Sequence, residues 1–336
     1  MADTVRWGIL ATGKIAHTFA HDLALVPDAE IVAVGSRRVE AAQAFAHEHT
    51  RGSAAAYGSY EELVADPRVD VVYIATPHAL HLDNARLAFE AGKHVLCEKP
   101  LTLTTADAEE LFALARQHGR FAMEAMWMAC HPVVRALAER VRAGDFGTPR
   151  SLRAELGFRV DAPPEDRMFD PALGGGALLD MGIYPLTFAH LMLGEAEQLT
   201  AQAALAPTGI DLDVAIAGRY PGGALAALTA SMTSWSSRSA AIATDRGRVE
   251  VPFGFHHPRY ATFTEHSAQG PAHPQRIEGH EPVIGQGYGN EIAHVGECLR
   301  DGLLESPYVP HAQTLTLMRQ LDGLREQIGV RYAADS

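Results

Sequence analysis

Over the first 125 residues, short apolar runs alternate with segments of helical period. VRWGILA, EIVAVGS, VDVVYIA, KHVLC and RFAMEA are rich in β-branched or apolar residues. Between them, Ile15, Phe19, Leu23 and Val26 recur at helical spacing. Ala108, Leu111, Phe112 and Ala115 do the same, and Gly119 follows as a stop. Strands that are apolar on both faces and alternate with helices predict a parallel sheet covered on both sides. After residue 150 the pattern changes. RSLRAELGFRV, LTAQAALA, DLDVAIAGRY, ALAALTASMT, AAIATD, GRVEV and RYATFTE follow one another as strand-like, often alternating runs, which predicts an open, mostly antiparallel sheet. A helical stretch at 177–193 interrupts them, and Ile292, Val295, Leu299, Leu317, Leu321, Leu324 and Ile328 mark a helical tail. The Gly/Pro/His-rich HSAQGPAHPQRIEGHEPVIGQGYGN reads as a long loop. The expected fold class is α/β: a doubly wound Rossmann domain over 1–125 and an α+β domain over 126–336.

The first strand leads into GILATGKIA. A dinucleotide fingerprint has small residues at G-x-G-x-x-G/A spacing; here the slots hold Ala11, Gly13 and Ala16. Gly13 lets backbone approach a pyrophosphate, and Ala16 permits close helix–strand packing. Ala11, Thr12, Gly13, Lys14 and Ile15 are therefore cofactor-binding candidates. NAD sites usually carry an acid at the end of the second strand. This chain has Ser36, Arg37 and Arg38 there, which suits the 2′-phosphate of NADP, with NAD still open. Read as an ordinary helix start, Ser36 would be the cap, but two arginines there would oppose the helix dipole.

Net charge is −13, which argues against wrapping nucleic acid or lying on an anionic membrane. No apolar run is expected to span a bilayer. The start MADTVRWGIL enters a strand without a signal pattern. Cys97, Cys130 and Cys298 are odd in number and far apart, which fits a reducing cytoplasm.

HVLCEKP at 94–100, GGGALLDMGIYP at 174–185 and CLRDGLLESPYVP at 298–310, followed by LREQIGVRY, resemble the Gfo/Idh/MocA oxidoreductases. The likeness covers nearly the whole chain. It is greatest to the branch holding dimeric dihydrodiol dehydrogenases and NADP-linked xylose dehydrogenases. The resemblance implies a Rossmann domain plus a domain whose open sheet forms a homodimer, or a dimer of dimers. It also implies a polyol, sugar or cyclic diol as substrate. Lys99 matches the family's catalytic lysine, framed by Glu98 and Pro100. Asp180 and Tyr184 match the acidic and tyrosine positions of the second domain. Thr76, Pro77 and His81 match a loop and helix against the cofactor. Trp127 lies in MEAMWMACHP, where Ala129 stands in place of an arginine common in relatives; Trp127 either lines the substrate pocket or packs in the core.

Alcohol oxidation with a nicotinamide moves a hydride to the ring and a proton to a base. Free tyrosine and lysine titrate near 10, so a useful base needs tuning towards working pH. Tyr184 is expected as the immediate base, with Lys99 tuning it and Asp180 orienting; the reverse assignment of Tyr184 and Lys99 stays open. One helical turn separates Asp180 from Tyr184, and Pro185 is expected to disturb that helix. Gly174 to Gly176 are expected to let this turn approach substrate. The 17 histidines show no zinc-ligand spacing, so no metal is expected and surface histidines are. A non-catalytic cofactor-binding regulator of the same fold is the alternative function.

Overall fold

The computed structural model describes residues 4–163 and 165–332. Two compact units divide the chain: Met1–Cys130 with Val283–Leu315, and His131–Pro282 with Thr316–Ser336.

The first unit runs β1 (Val5–Leu10), α1 (Lys14–Leu23), β2 (Ala29–Gly35), α2 (Val39–Thr50), β3 (Ala55–Tyr57), α3 (Tyr60–Val64), β4 (Val71–Ile74), α4 (His81–Glu90), β5 (His94–Glu98), α5 (Thr105–His118), β6 (Ala122–Ala125) and α6 (Trp127–Cys130). Its strands pair in parallel in the order β3-β2-β1-β4-β5-β6. The order reverses between β1 and β4, which opens a crevice at the carboxyl ends of the strands. All four residues of β4 and of β6 are buried, so these strands face apolar neighbours on both sides. Phe19 of α1 stacks on Tyr73 of β4 with ring centroids 3.7 Å apart. Helix α5 starts on Thr104, whose hydroxyl accepts the Asp107 N–H, and ends on Gly119 at φ 60.

The second unit runs α7 (Pro132–Arg142), β7 (Pro149–Gly157), α8 (Ile183–Leu193), β8 (Gln198–Leu205), β9 (Asp211–Arg219), β10 (Leu225–Ser231), β11 (Ala240–Thr244), β12 (Gly247–Val251), β13 (Ala261–Ser267), β14 (Gly270–Pro271) and β15 (Gln275–Ile277). The sheet order is β14-β13-β12-β11-β7-β10-β9-β8, with β15 against β13. Only β7 and β10 pair in parallel among the described residues. Burial alternates strictly along most of β10, the mark of a sheet packed on one face. Helix α8 packs on β7 and β10. Pro171–Leu193 is long and apolar enough to cross a membrane, contrary to expectation, but 83% of its most apolar window is buried inside the protein. It reads as a core helix. The expected loop at 266–290 instead holds the small β-ribbon of β14 and β15 and the start of α9 (Tyr288–Arg300).

Helix α9 and the first turn of α10 (His311–Ile328) return to the first unit, whereas the sequence pattern predicts everything after residue 125 in the second. Backbone and side-chain bonds explain this. Asp22 of α1, 2% exposed, accepts the N–H groups of Gln286 (2.8 Å), Tyr288 (3.0 Å) and Gly289 (3.3 Å). A carboxylate thereby satisfies the start of α9 and complements its dipole. Arg300 pairs with Asp28, and the N–H of Ala122 in β6 donates to the carbonyl of Leu304.

Candidate active site

The first unit brings its expected cofactor residues to the carboxyl ends of β1, β2, β4 and β5. After β1 the chain turns at Ala11, whose φ is 80. This is the left-handed conformation for which the first fingerprint position usually holds glycine, and alanine adopts it at a cost of about 1–2 kcal/mol. Its N–H donates to the Gly35 carbonyl, which ties the turn to β2. Gly13 precedes α1 with extended backbone, and a Cβ built there meets no atom within 4 Å. That room and the free N–H groups of the α1 amino end suit a pyrophosphate. No acidic residue stands in the first turn of α1. Thr12 and Ile15 are half-buried; Lys14 is exposed.

Ser36 does not cap α2. Arg38 occupies the cap position and makes no side-chain cap bond. Arg37 and Arg38 are exposed, and neither has a carboxylate partner among the described residues. Two cations beside an open strand end fit a phosphate.

Thr76 and Pro77 follow β4. His81 was expected against the cofactor, but it is fully buried. Its Nε2 lies 2.9 Å from the Thr76 carbonyl, and its Nδ1 lies 3.2 and 3.1 Å from those of Pro100 and Leu101. It holds the loop after β4 against the loop after β5, and so positions Lys99. Asn84 adds a bond to the Thr76 hydroxyl at 3.1 Å.

Lys99 is half-buried at the end of β5. Glu98 points inward, 6% exposed; it accepts the Tyr73 hydroxyl at 2.5 Å and the Lys99 N–H at 3.2 Å. Two further acids were missed by sequence reading. Glu124 in β6 accepts the Leu101 N–H and the Thr314 hydroxyl, both at 3.0 Å. Burial pushes its carboxyl up to about 7; those two bonds and the Lys99 charge oppose the shift. Glu291 in α9 is fully buried, and neither carboxyl oxygen has a hydrogen-bond partner among the described residues. Burial, then the Glu98 and Glu124 charges, push it well above the usual carboxyl range. The available signal was an acid inside an apolar pattern, as in AMEA. Trp127 is 5% exposed and stacks on Tyr288 at 4.3 Å, so its ring belongs mostly to the core of this unit.

Glu124 gives a testable pH dependence. Its folded value lies above the 4.5 of the free group, so the folded state keeps a proton that the unfolded chain releases. The neutral form costs nothing below pH 4.5. Stability then falls as pH rises, and the loss is complete above about 7. Glu124→Gln keeps an acceptor for Leu101 and can donate to Thr314. Urea unfolding at about pH 5 and about pH 8 should show the stability difference shrink by about 2 kcal/mol in this variant. An unchanged difference would exclude Glu124 as the titrating group.

In the second unit, residues Leu178–Gly182 wind as a π-type turn that runs directly into α8. Pro185 follows this wider turn, which already interrupts the regular i→i−4 ladder, so the segment stays helical despite the missing N–H. Asp180 lies in the π-type turn and Tyr184 in α8, and such turns recur at functional sites. Asp180 sits 3.6 Å from the Arg167 guanidinium. Tyr184 is 7% exposed and packs on the His256 ring at 5.0 Å. Asp211 is fully buried and accepts the Leu178 N–H at 2.5 Å; burial raises its carboxyl to about 7. It anchors the segment carrying Asp180 and Tyr184. Gly175 and Gly176 serve this packing: a Cβ on Gly175 would fall 2.6 Å from the Met168 carbonyl oxygen, and one on Gly176 would strike the Asp211 carboxylate. Their smallness is used within the unit. Four of the histidines expected at the surface, His78, His81, His131 and His294, are buried instead.

Residues 5–126 match the family described as an oxidoreductase family with an NAD-binding Rossmann fold, and residues 134–250 match the GFO/IDH/MocA C-terminal domain. The chain is similar to trans-1,2-dihydrobenzene-1,2-diol dehydrogenase of Mus musculus, 37% identical over 98% of this chain and 99% of that one. The same enzyme of Sus scrofa is 36% identical over the same shares. Among solved structures, a 3-ketoreductase from Actinomadura kijaniata in complex with NADP and TDP-benzene superposes with a TM-score of 0.85, 27% identity, and coverage of 97% of this chain and 98% of that one. With both domain models matched in order and relatives similar over almost their full length, the chain belongs to the Gfo/Idh/MocA family of NAD(P)-dependent oxidoreductases.

Proposed function

We propose that the protein is an NADP-dependent dehydrogenase that oxidises a hydroxyl of a sugar or cyclic diol, or reduces the corresponding carbonyl. The observation that carries the cofactor preference is the pair Arg37 and Arg38, exposed at the end of β2 where an NAD site would carry an acid. The relatives support the substrate class: some are named as acting on a dihydrobenzene diol, and a 3-ketoreductase neighbour holds NADP. When bound, the nicotinamide supplies the hydride acceptor or donor.

The chain's own residues do the rest. Ala11 to Ile15 receive the pyrophosphate. Ser36, Arg37 and Arg38 bind the 2′-phosphate. Lys99 is held at the end of β5 by His81 and Glu98 and donates to the reacting oxygen. Tyr184 takes the hydroxyl proton on oxidation and returns it on reduction. Asp180 orients the substrate. The test is a panel of aldoses, inositols and cyclic diols, read as NADPH absorbance. Absence of turnover across the panel, with NADP bound, would favour a sensing role.

The exposed face of the second unit's sheet supports assembly. Ala215, Ala217, Leu225, Ala227 and Thr229 point outward from β9 and β10, and Trp235 is 72% exposed nearby. We expect this flat, small-residue face to pair with a second copy. Sedimentation at micromolar concentration should show a homodimer or a dimer of dimers; a single 36.1 kDa species would count against it. Cys97, Cys130 and Cys298 are buried and form no disulfide among the described residues, and we propose a reducing cytoplasm as the setting.

A further inference from the structure

Helices α1 and α2 bring three potential metal ligands to one point on the first unit. His17 Nδ1 and His49 Nε2 are 2.8 Å apart. Glu48 places Oε2 3.5 Å from His17 Nδ1 and Oε1 3.6 Å from His49 Nε2. In a tetrahedral zinc site with bonds of about 2.0–2.1 Å, ligand atoms lie about 3.4 Å apart. Each Glu48 oxygen lies at about that edge from one of the two imidazole nitrogens, and the imidazole pair needs to open by about half an ångström. His21 lies one helical turn from His17, and its ring centroid is 4.9 Å from that of His49. It is the fourth candidate.

The surroundings suit a metal. The Phe45 ring, 1% exposed, backs both imidazoles at 4.6 and 4.4 Å. The His49 side chain is 3% exposed, whereas that of Glu48 is 53% exposed, which leaves an entry path. A dry wall, an open side and two imidazole nitrogens with a carboxylate favour a borderline-soft divalent ion over calcium or magnesium. Sequence spacing hid the set because its members come from two helices about 30 residues apart. We propose that His17, Glu48 and His49, with His21 or water completing the shell, bind a zinc-class divalent transition metal that clamps α1 to α2.

The test uses the full chain, stripped with a chelator. Titration with Co²⁺ should develop the visible absorption of a four-coordinate ion and saturate at one equivalent. Zn²⁺ should displace it, and calorimetry with Zn²⁺ should give the same stoichiometry and a raised Tm. His17→Ala and His49→Gln should each weaken Zn²⁺ binding at least about 100-fold. His47→Ala, an exposed neighbour on α2, should leave it unchanged. If His49→Gln does not fold, His17→Ala decides, since that side chain is 35% exposed. No saturable equivalent at micromolar Zn²⁺, or one that survives at parental affinity in His17→Ala, overturns the proposal.

Discussion

Lys99→Met and Tyr184→Phe should each lower turnover by about 10²–10⁴-fold, the usual worth of a positioned acid–base group. If the two residues act as one unit, the double variant should be little worse than either single. Affinity for NADP should hardly change, because its proposed anchors are the Ala11–Ile15 turn and the two arginines. Asp180→Asn should do less. The parent's oxidation rate should rise with pH to a plateau as the base ionises. Full turnover and an unchanged pH profile in Tyr184→Phe would assign the base to Lys99 alone. Full turnover in Lys99→Met as well would refute the catalytic reading and leave a binding or sensing role.

The second large effect concerns the cofactor. A charge-assisted bond from arginine to phosphate contributes about 1.5–3 kcal/mol. Exposure of Arg37 and Arg38 lets solvent screen this, so NADP should bind about tenfold to a hundredfold tighter than NAD. Arg37→Ala with Arg38→Ala should erase most of that gap and leave NAD affinity nearly unaltered. Raising salt should shrink the preference in the parent, because it weakens only the charged contact. Equal affinities of the parent for the two cofactors would refute the assignment.

The sheet of the first unit was legible because its strands are apolar on both faces, a pattern few other arrangements produce. The loop after β1 was legible only from context, since Ala11 and Gly13 make a weak fingerprint by themselves. What could not be read was contact between distant segments. The helical period of residues 288–300 shows that α9 exists, but not that Asp22 receives its amino end. Glu124 and Glu291 are single acids in apolar surroundings, and only their meeting with Glu98 near the lysine loop gives them meaning. Glycines 174–176 read as an approach to substrate, whereas Gly175 and Gly176 pack closely on Met168 and Asp211 of the same unit. The sequence places His81 against the cofactor, whereas its buried ring bonds the Thr76, Pro100 and Leu101 carbonyls, partners that only packing could set.

The first unit is built from both ends of the chain, and this shapes its birth on the ribosome. At roughly 5–20 residues per second, about 10–40 s separate the synthesis of Cys130 from that of Leu315. During that interval Ala122 lacks the Leu304 carbonyl that its N–H bonds, and Glu124 lacks the Thr314 hydroxyl. Asp22 waits without the three N–H groups it will receive. The nascent amino-terminal segment therefore carries an unfinished sheet edge and uncompensated buried acids until the tail emerges. Chaperones that shield such edges would act in that window. An expression fragment ending near residue 130 would remain in that incomplete state permanently.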